Sequence, residues 1–233
     1  MPFKIPVLMY HSVSNDFDRL SISINNFEKH IRILKLMKFN IISFDDDFKK
    51  YKKPLIITFD DGYEDNFINA LPILLKNNIV ATCFLVSDLL GGHNVWDENK
   101  IFFKKKKLMN HNQIGHWLSH GMKIGSHSSS HLNLVDIDIN KASQEIINSK
   151  KKLESYFGTS IKVFSYPYGS YNDEISKIVL NNYQMAVTTK RSRYILGKHR
   201  ENLIPRVHVN NNTNLFKFFL KINSIYEDLL YKN

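Results

Sequence analysis

With one cysteine, Cys83, the 233-residue chain can form no intrachain disulfide. The thiol sits inside the apolar run at residues 80–86, where a small buried strand residue is expected rather than a nucleophile. No apolar run approaches the length of a membrane span. No Pro/Gly/Ser-rich linker and no repeat interrupts the chain, so one domain is expected over residues 1–233. The first eleven residues lack the apolar segment of a signal peptide. Taken as full length, such a chain is expected in the cytoplasm; one trimmed of a leader would be secreted or periplasmic. Acid is the scarcer charge, with 22 acidic against 32 basic side chains and a formal net charge of +10. That excess suits anionic partners such as nucleotide- or lipid-linked sugars, phosphate-bearing glycans or acidic membrane surfaces. No recognition motif for nucleic acid accompanies it, so none is expected as a partner. At 43% hydrophobic and 23% charged, the composition excludes disorder.

What the chain does have is alternation. Short apolar runs at 5–10, 39–44, 55–59, 80–86, 123–126, 162–166 and 184–188 read as strands. Helical patterns lie between them at 25–38, 64–76, 108–119, 139–156 and 172–182. In the first, Phe27, Ile31 and Leu34 share a face, with Ser23 or Asn25 available as a cap. Residues 213–230 suggest a closing helix. Strand–helix repetition implies a parallel sheet, doubly wound or closed. Asp60, His127, the turn Tyr166-Pro167-Tyr168-Gly169 and His11 each follow a different strand candidate. Functional groups gathered from several strand ends favour closure, so the expected fold is a distorted (β/α) barrel of roughly seven parallel strands with outer helices.

Two clusters carry the chemistry. Asp60-Asp61-Gly62-Tyr63 ends one apolar strand, and His127-Ser128-Ser129-Ser130-His131 follows another. One carboxylate with two imidazoles is a common ligand set for a divalent transition metal. A second carboxylate beside it is placed to act as a base on water activated there. Alone, Asp-Asp at a strand–helix junction reads as a helix cap. The pair His116 and His120 repeats the four-residue spacing on a helix but has no carboxylate at a buried strand end. The lysines at 104–107 read most simply as a solvated face, and Asp45-Asp46-Asp47 as solvent-facing. Residues 87–107, with Gly91, Gly92 and Trp96, suggest a long loop above the site, Trp96 being a candidate platform for a sugar ring.

These motifs resemble those of the polysaccharide deacetylases, carbohydrate esterase family four. Thr58–Tyr63 is similar to the first motif of that family, Ser126–His131 to the second, and Phe164–Gly169 to the third, in the same order over most of the chain. The resemblance implies a distorted (β/α) barrel, a bound divalent metal, usually zinc, and removal of N-acetyl groups from amino sugars. Residue by residue, it implies Asp60 as general base, Asp61, His127 and His131 as metal ligands, and the backbone N–H of Tyr168 at the oxyanion. The third motif usually begins with Arg; here Ser165 stands in that place. The fifth usually offers a Leu-x-His acid, matched only in part by Arg206-Val207-His208. Val7–His11 instead resembles a poly-N-acetylglucosamine deacetylase subgroup with permuted motifs, which implies His11 as the acid and His208 as second choice. Arg206 is a candidate for the missing orienting charge. Tyr63, Trp96, Arg206 and His208 complete the expected substrate-facing set. Two rivals stand beside this reading: an amidohydrolase of non-sugar amides on the same fold, and a glycan-binding protein with a vestigial site.

Overall fold

The computed structural model describes residues 4–16 and 18–230. Eight parallel strands form the main sheet: β1 (Val7–Tyr10), β2 (Asn40–Ile42), β3 (Pro54–Phe59), β4 (Thr82–Leu85), β5 (Lys123–Ser126), β6 (Val163–Ser165), β7 (Met185–Arg191) and β8 (Ile204–His208). Seven of them close a ring in the order β1-β8-β7-β6-β5-β4-β3, with β3 returning to β1 through the pair Leu8↔Ile57. The fold is therefore the expected distorted barrel, but its seven strands are not the expected seven. Residues 39–44 shorten to β2, which pairs only with the start of β3 and lies outside the ring. The strand that closes the ring, β8, was not expected from sequence. Pro205 and charged Arg206 interrupt its apolar run, and its ladder with β7 carries a register shift.

Helices α1 (Ile24–Leu36), α2 (Leu71–Lys76), α3 (His111–Ser119), α4 (Ile139–Phe157), α5 (Asp173–Asn182) and α6 (Leu215–Asn223) surround the ring. Ser23 caps α1 by accepting from Asn26 N–H, and Phe27, Ile31 and Leu34 are buried beneath it. The expected helix 64–76 is instead a π-helical turn, Asn66–Ala70, followed by α2. Pro72 has no N–H to give to the preceding turn, so an unbroken α-helical ladder cannot cross it. The expected closing helix ends early, at Asn223. There the Ser224 hydroxyl bonds back to the Leu220 carbonyl, and Glu227 is drawn to Arg191 and Lys221. Among the described residues no helix is long and apolar enough to cross a membrane.

Alternation along parallel strands divides the core in two. Outward residues such as Leu8, Ile57, Cys83, Phe164 and Val207 pack with the helices. Inward residues Val7, Ile56, Phe84, Val163, Val187 and Ile204 form a separate cluster that fills the lower lumen. The Phe84 ring lies over its register partner Gly125 on the neighbouring strand, where an added Cβ would lie 2.5 Å from the ring. Any side chain at 125 would therefore displace the plug.

Candidate active site

Above the plug, at the C-terminal ends of the strands, the lumen turns polar. Asp60 continues β3, its N–H bonded to Tyr10 carbonyl; His127 continues β5, its N–H bonded to Leu85 carbonyl. Asp61 adopts φ 72° and Gly62 φ 75°, so the chain turns sharply and the two adjacent carboxylates separate. Ser128, His131 and Tyr168 also have positive φ. Backbone strain of this kind persists only where surrounding contacts hold it, and four of the six non-glycine cases among the described residues, Asp61, Ser128, His131 and Tyr168, belong to this site. Gln113 and Glu64 tie α3 to the first of these turns. Glu145 of α4 accepts from Ser130 N–H and hydroxyl at 2.8 Å each, bracing the segment between the two histidines.

Asp61, His127 and His131, all buried, present donor atoms within 4.8 Å of one another. The His127 and His131 Nε2 atoms stand 3.4 and 3.3 Å from Asp61 Oδ1. His127 Nδ1 faces the Ser165 carbonyl at 2.7 Å, which can only accept, so that nitrogen carries a proton. With Nδ1 committed as donor, Nε2 is the atom that faces Asp61: in the neutral ring it offers a lone pair to a cation held between them, and in the protonated ring it donates to the carboxylate. The donor set fits a divalent metal. It is the single such cluster among the described residues; His116 and His120 are exposed, and His120 bonds the His116 carbonyl instead. Burial works against ionisation of Asp61, but the two imidazoles outweigh it and hold its carboxyl well below the usual range. Burial lowers His131, and Asp61 only partly offsets this. In His127 burial also lowers, yet its bond to Asp61 with Asp60 nearby raises the net value.

Asp60 has a different partner. Arg206 of β8 grips it with two bonds, Nη1 to Oδ1 at 2.7 Å and Nη2 to Oδ2 at 2.6 Å. The remaining guanidinium protons reach Thr188 carbonyl, Thr58 hydroxyl and Ser165 hydroxyl at 2.9, 3.2 and 3.2 Å. All five donors of a fully buried arginine are thus used. Burial would raise the Asp60 carboxyl, but the charge and hydrogen bonds of Arg206 win and keep it ionised. Ser165 is small enough to leave this space and joins the same network, its hydroxyl 3.4 Å from Asp60 Oδ2. A fully buried Arg206 cannot meet a substrate, so its expected place among the substrate contacts is corrected: it lies beneath the carboxylate. Tyr63 is likewise buried, against Asp61.

His11, half-buried past the end of β1, lies near both Asp60 and Asp61, and its Nδ1 is buried without a partner. His208 is engaged elsewhere. Its Nε2–H donates to Thr189 carbonyl at 2.7 Å, and burial pulls its pKa down to about 4. Tyr168 is 46% exposed at the rim, its hydroxyl pushed up to about 12 by burial. Trp96, half-buried in a short 3-10 turn of the 87–107 loop, stacks on His131 with ring centroids 4.3 Å apart. The Tyr168 ring meets the same imidazole edge-on at 4.8 Å. Glu145, and Lys106 of the lysine run, were not foreseen as site-shaping residues. Lys106 is buried, which corrects the expected solvated face, and nothing local in the sequence marks either residue.

A carboxylate–imidazole metal cluster with a second, clamped carboxylate, at the top of a parallel barrel, defines the class of metal-assisted hydrolases. Comparisons with known proteins narrow this. The family profile described as polysaccharide deacetylase matches residues 48–187. YxkH of Bacillus subtilis, assigned to the same group, is 31% identical over 88% of this chain and 73% of its own length. The poly-β-1,6-N-acetyl-D-glucosamine N-deacetylase of Staphylococcus epidermidis is 27% identical over 86% of this chain and 72% of its own. A polysaccharide deacetylase of Bacillus cereus superposes with a TM-score of 0.83 at 26% identity, covering 95% of this chain and 70% of that one. The chain belongs to the polysaccharide deacetylase family. It is a hydrolase that removes acetyl groups from N-acetylated amino sugars, in a family that works with a metal.

Proposed function

We propose that this chain deacetylates a polymer of N-acetylglucosamine, with Asp60 as general base and Asp61, His127 and His131 holding zinc. The observation that carries the assignment of roles is the asymmetry of the two aspartates: one faces two imidazoles, the other a guanidinium. Two nitrogens and one oxygen suit zinc. Such an ion supplies Lewis acidity, polarising the acetamide carbonyl and acidifying water. Asp60 receives the proton as water attacks the carbonyl carbon. The Arg206 clamp keeps the carboxylate ionised and aimed, at some expense in basicity. In the Tyr166–Gly169 turn, Gly169 and Ser170 amides bond back to Tyr166 and Pro167. The N–H of Tyr168, in the same turn, stabilises the oxyanion. His11 protonates the leaving amine. His208, with Nε2–H committed and basicity lowered, is the poorer acid. Trp96 and Tyr168 wall the entrance and receive the sugar.

Relatives that act on poly-β-1,6-N-acetyl-D-glucosamine favour a polymer over the nucleotide- or lipid-linked precursor that the positive charge suggests. Acetate release from β-1,6-linked N-acetylglucosamine oligomers, measured against simple amides, tests the substrate. Asp60→Asn should hold about one metal per chain and lose turnover by roughly a thousandfold. His127→Ala and His131→Ala should lose metal and activity together. Full activity in Asp60→Asn removes the base assignment.

A further inference from the structure

The lysine run separates into two kinds of residue. Lys104, Lys105 and Lys107 are exposed, whereas Lys106 is 7% exposed. Its Nζ donates to Ser12 Oγ at 2.8 Å and Ser21 Oγ at 2.6 Å, with Asp16 and Asp18 carboxylates at 3.6 and 3.5 Å. It also lies 5.7 Å from the centre of the Tyr63 ring. Ser12 directly follows His11 and donates its own proton to Asp65 at 2.6 Å. Tyr63 rests against Asp61. One ammonium therefore touches the segments that carry two groups of the reaction.

The same residue closes the loop that carries Trp96. Lys106 N–H donates to Asn94 Oδ1 at 2.8 Å, and Asn94 Nδ2 donates to Lys104 carbonyl at 3.1 Å. Asn94 begins the turn Val95–Asp97, so a shift of Lys106 is passed to Trp96 through one side chain. The other limb of the loop hangs from the histidine segment, Ser87 and Asp88 N–H bonding Ser128 and Ser129 carbonyls at 3.2 and 2.9 Å. A buried ammonium is a poor device for stability alone. Its desolvation cancels much of its attraction, and an apolar side chain of similar volume often serves as well or better. What a buried, hydrogen-bonded charge supplies that an apolar one cannot is a single geometry.

We propose that Lys106 is a positioning residue for the deacetylation: it latches the 87–107 loop onto residues 12–22 and so sets Trp96 over His131 and His11 beside Asp60 and Asp61. This rests on the reading of the reaction given above. The test compares Lys106→Met and Lys106→Arg with Lys105→Met, an exposed neighbour. Four quantities are measured: melting temperature, bound zinc, kcat and KM on N-acetylglucosamine oligomers, and acrylamide quenching of tryptophan fluorescence. Of the two tryptophans, Trp117 is fully buried, so quenching reports on Trp96. Lys106→Met should melt no lower than the parent and keep its zinc. It should lose kcat by roughly tenfold to a hundredfold and expose Trp96 to the quencher. Lys106→Arg should recover part of both, and Lys105→Met should match the parent. A Lys106→Met protein that melts lower but keeps kcat per folded molecule makes Lys106 a plain anchor and overturns the proposal. Unchanged quenching overturns it whatever the rates. If the parent releases no acetate from the oligomers, the substrate reading fails separately, and quenching still decides the latch.

Discussion

Below Arg206 the barrel lumen is filled by Val7, Ile56, Phe84, Val163, Val187 and Ile204, side chains without a polar atom among them. Above it stand Asp60, Asp61, His127 and His131, also buried, where four of the six positive-φ non-glycine residues gather. The lower half is held by volume and dispersion, and each residue there gains by being dry. In the upper half, burial is a cost that each group must offset with a specific partner. Arg206 is the boundary: its guanidinium lies 5.8 Å over the Phe84 ring while its protons serve Asp60. The stable half of the lumen is thus the floor on which the reactive half is mounted.

Removing Arg206 is the most severe way to break that division. Arg206→Met should cost about 3–5 kcal/mol, because it strands the buried Asp60 carboxylate. Adding Asp60→Asn to it should restore part of the loss, a non-additivity that denaturant titration of the single and double variants would reveal. In the lower half, Phe84→Ala should cost about 3 kcal/mol by opening a cavity under Arg206. Turnover per folded molecule should fall far less than in any upper-half variant; an equal fall would mean the floor is part of the catalytic geometry.

A third test asks whether buried polarity outside the lumen obeys the same rule. His30 of α1 lies flat against Phe218 of α6, ring centroids 3.8 Å apart, and bonds Tyr10 hydroxyl at 3.2 Å. Burial lowers its pKa from 6.5 to about 4. The unfolded chain then takes up the proton first, so stability is intact above about pH 6.5 and is lost as pH falls from there toward about 4. Between pH 6.5 and about pH 5 the loss should approach about 2 kcal/mol. His30→Phe should flatten that slope in denaturant midpoints measured across the range; an unchanged slope would assign it to other groups. The smallest effect is expected at the rim. Trp96→Ala should raise KM on the oligomers by roughly fivefold, about 1 kcal/mol, with stability nearly unchanged.

Much of this arrangement was legible before folding. Asp60, Asp61, His127 and His131 sit immediately beyond apolar runs, and a parallel barrel delivers such positions to one end. Ser23, Phe27, Ile31 and Leu34 defined α1 to within a residue or two, because caps and apolar spacing act locally. The eighth strand was hidden, since Pro205 and Arg206 make a buried strand look like a loop. Glu145 and Lys106 were hidden too. A mid-helix glutamate and one lysine of four carry no sign of what they will touch once α4 and the 87–107 loop are packed.

The sequence by itself determined which groups the site would contain: two carboxylates and two imidazoles at strand ends, on a chain whose alternation required a parallel sheet. Only the tertiary structure decided how they divide. Asp60 and Arg206 are 146 residues apart and meet because β8 closes the ring beside β1, next to β3. The turn at Asp61 and Gly62 sends the adjacent carboxylate the other way, toward the histidines. Local spacing fixes residue type and strand phase. A charge pair made across a closed barrel depends on strand order and register, which no short stretch of chain encodes.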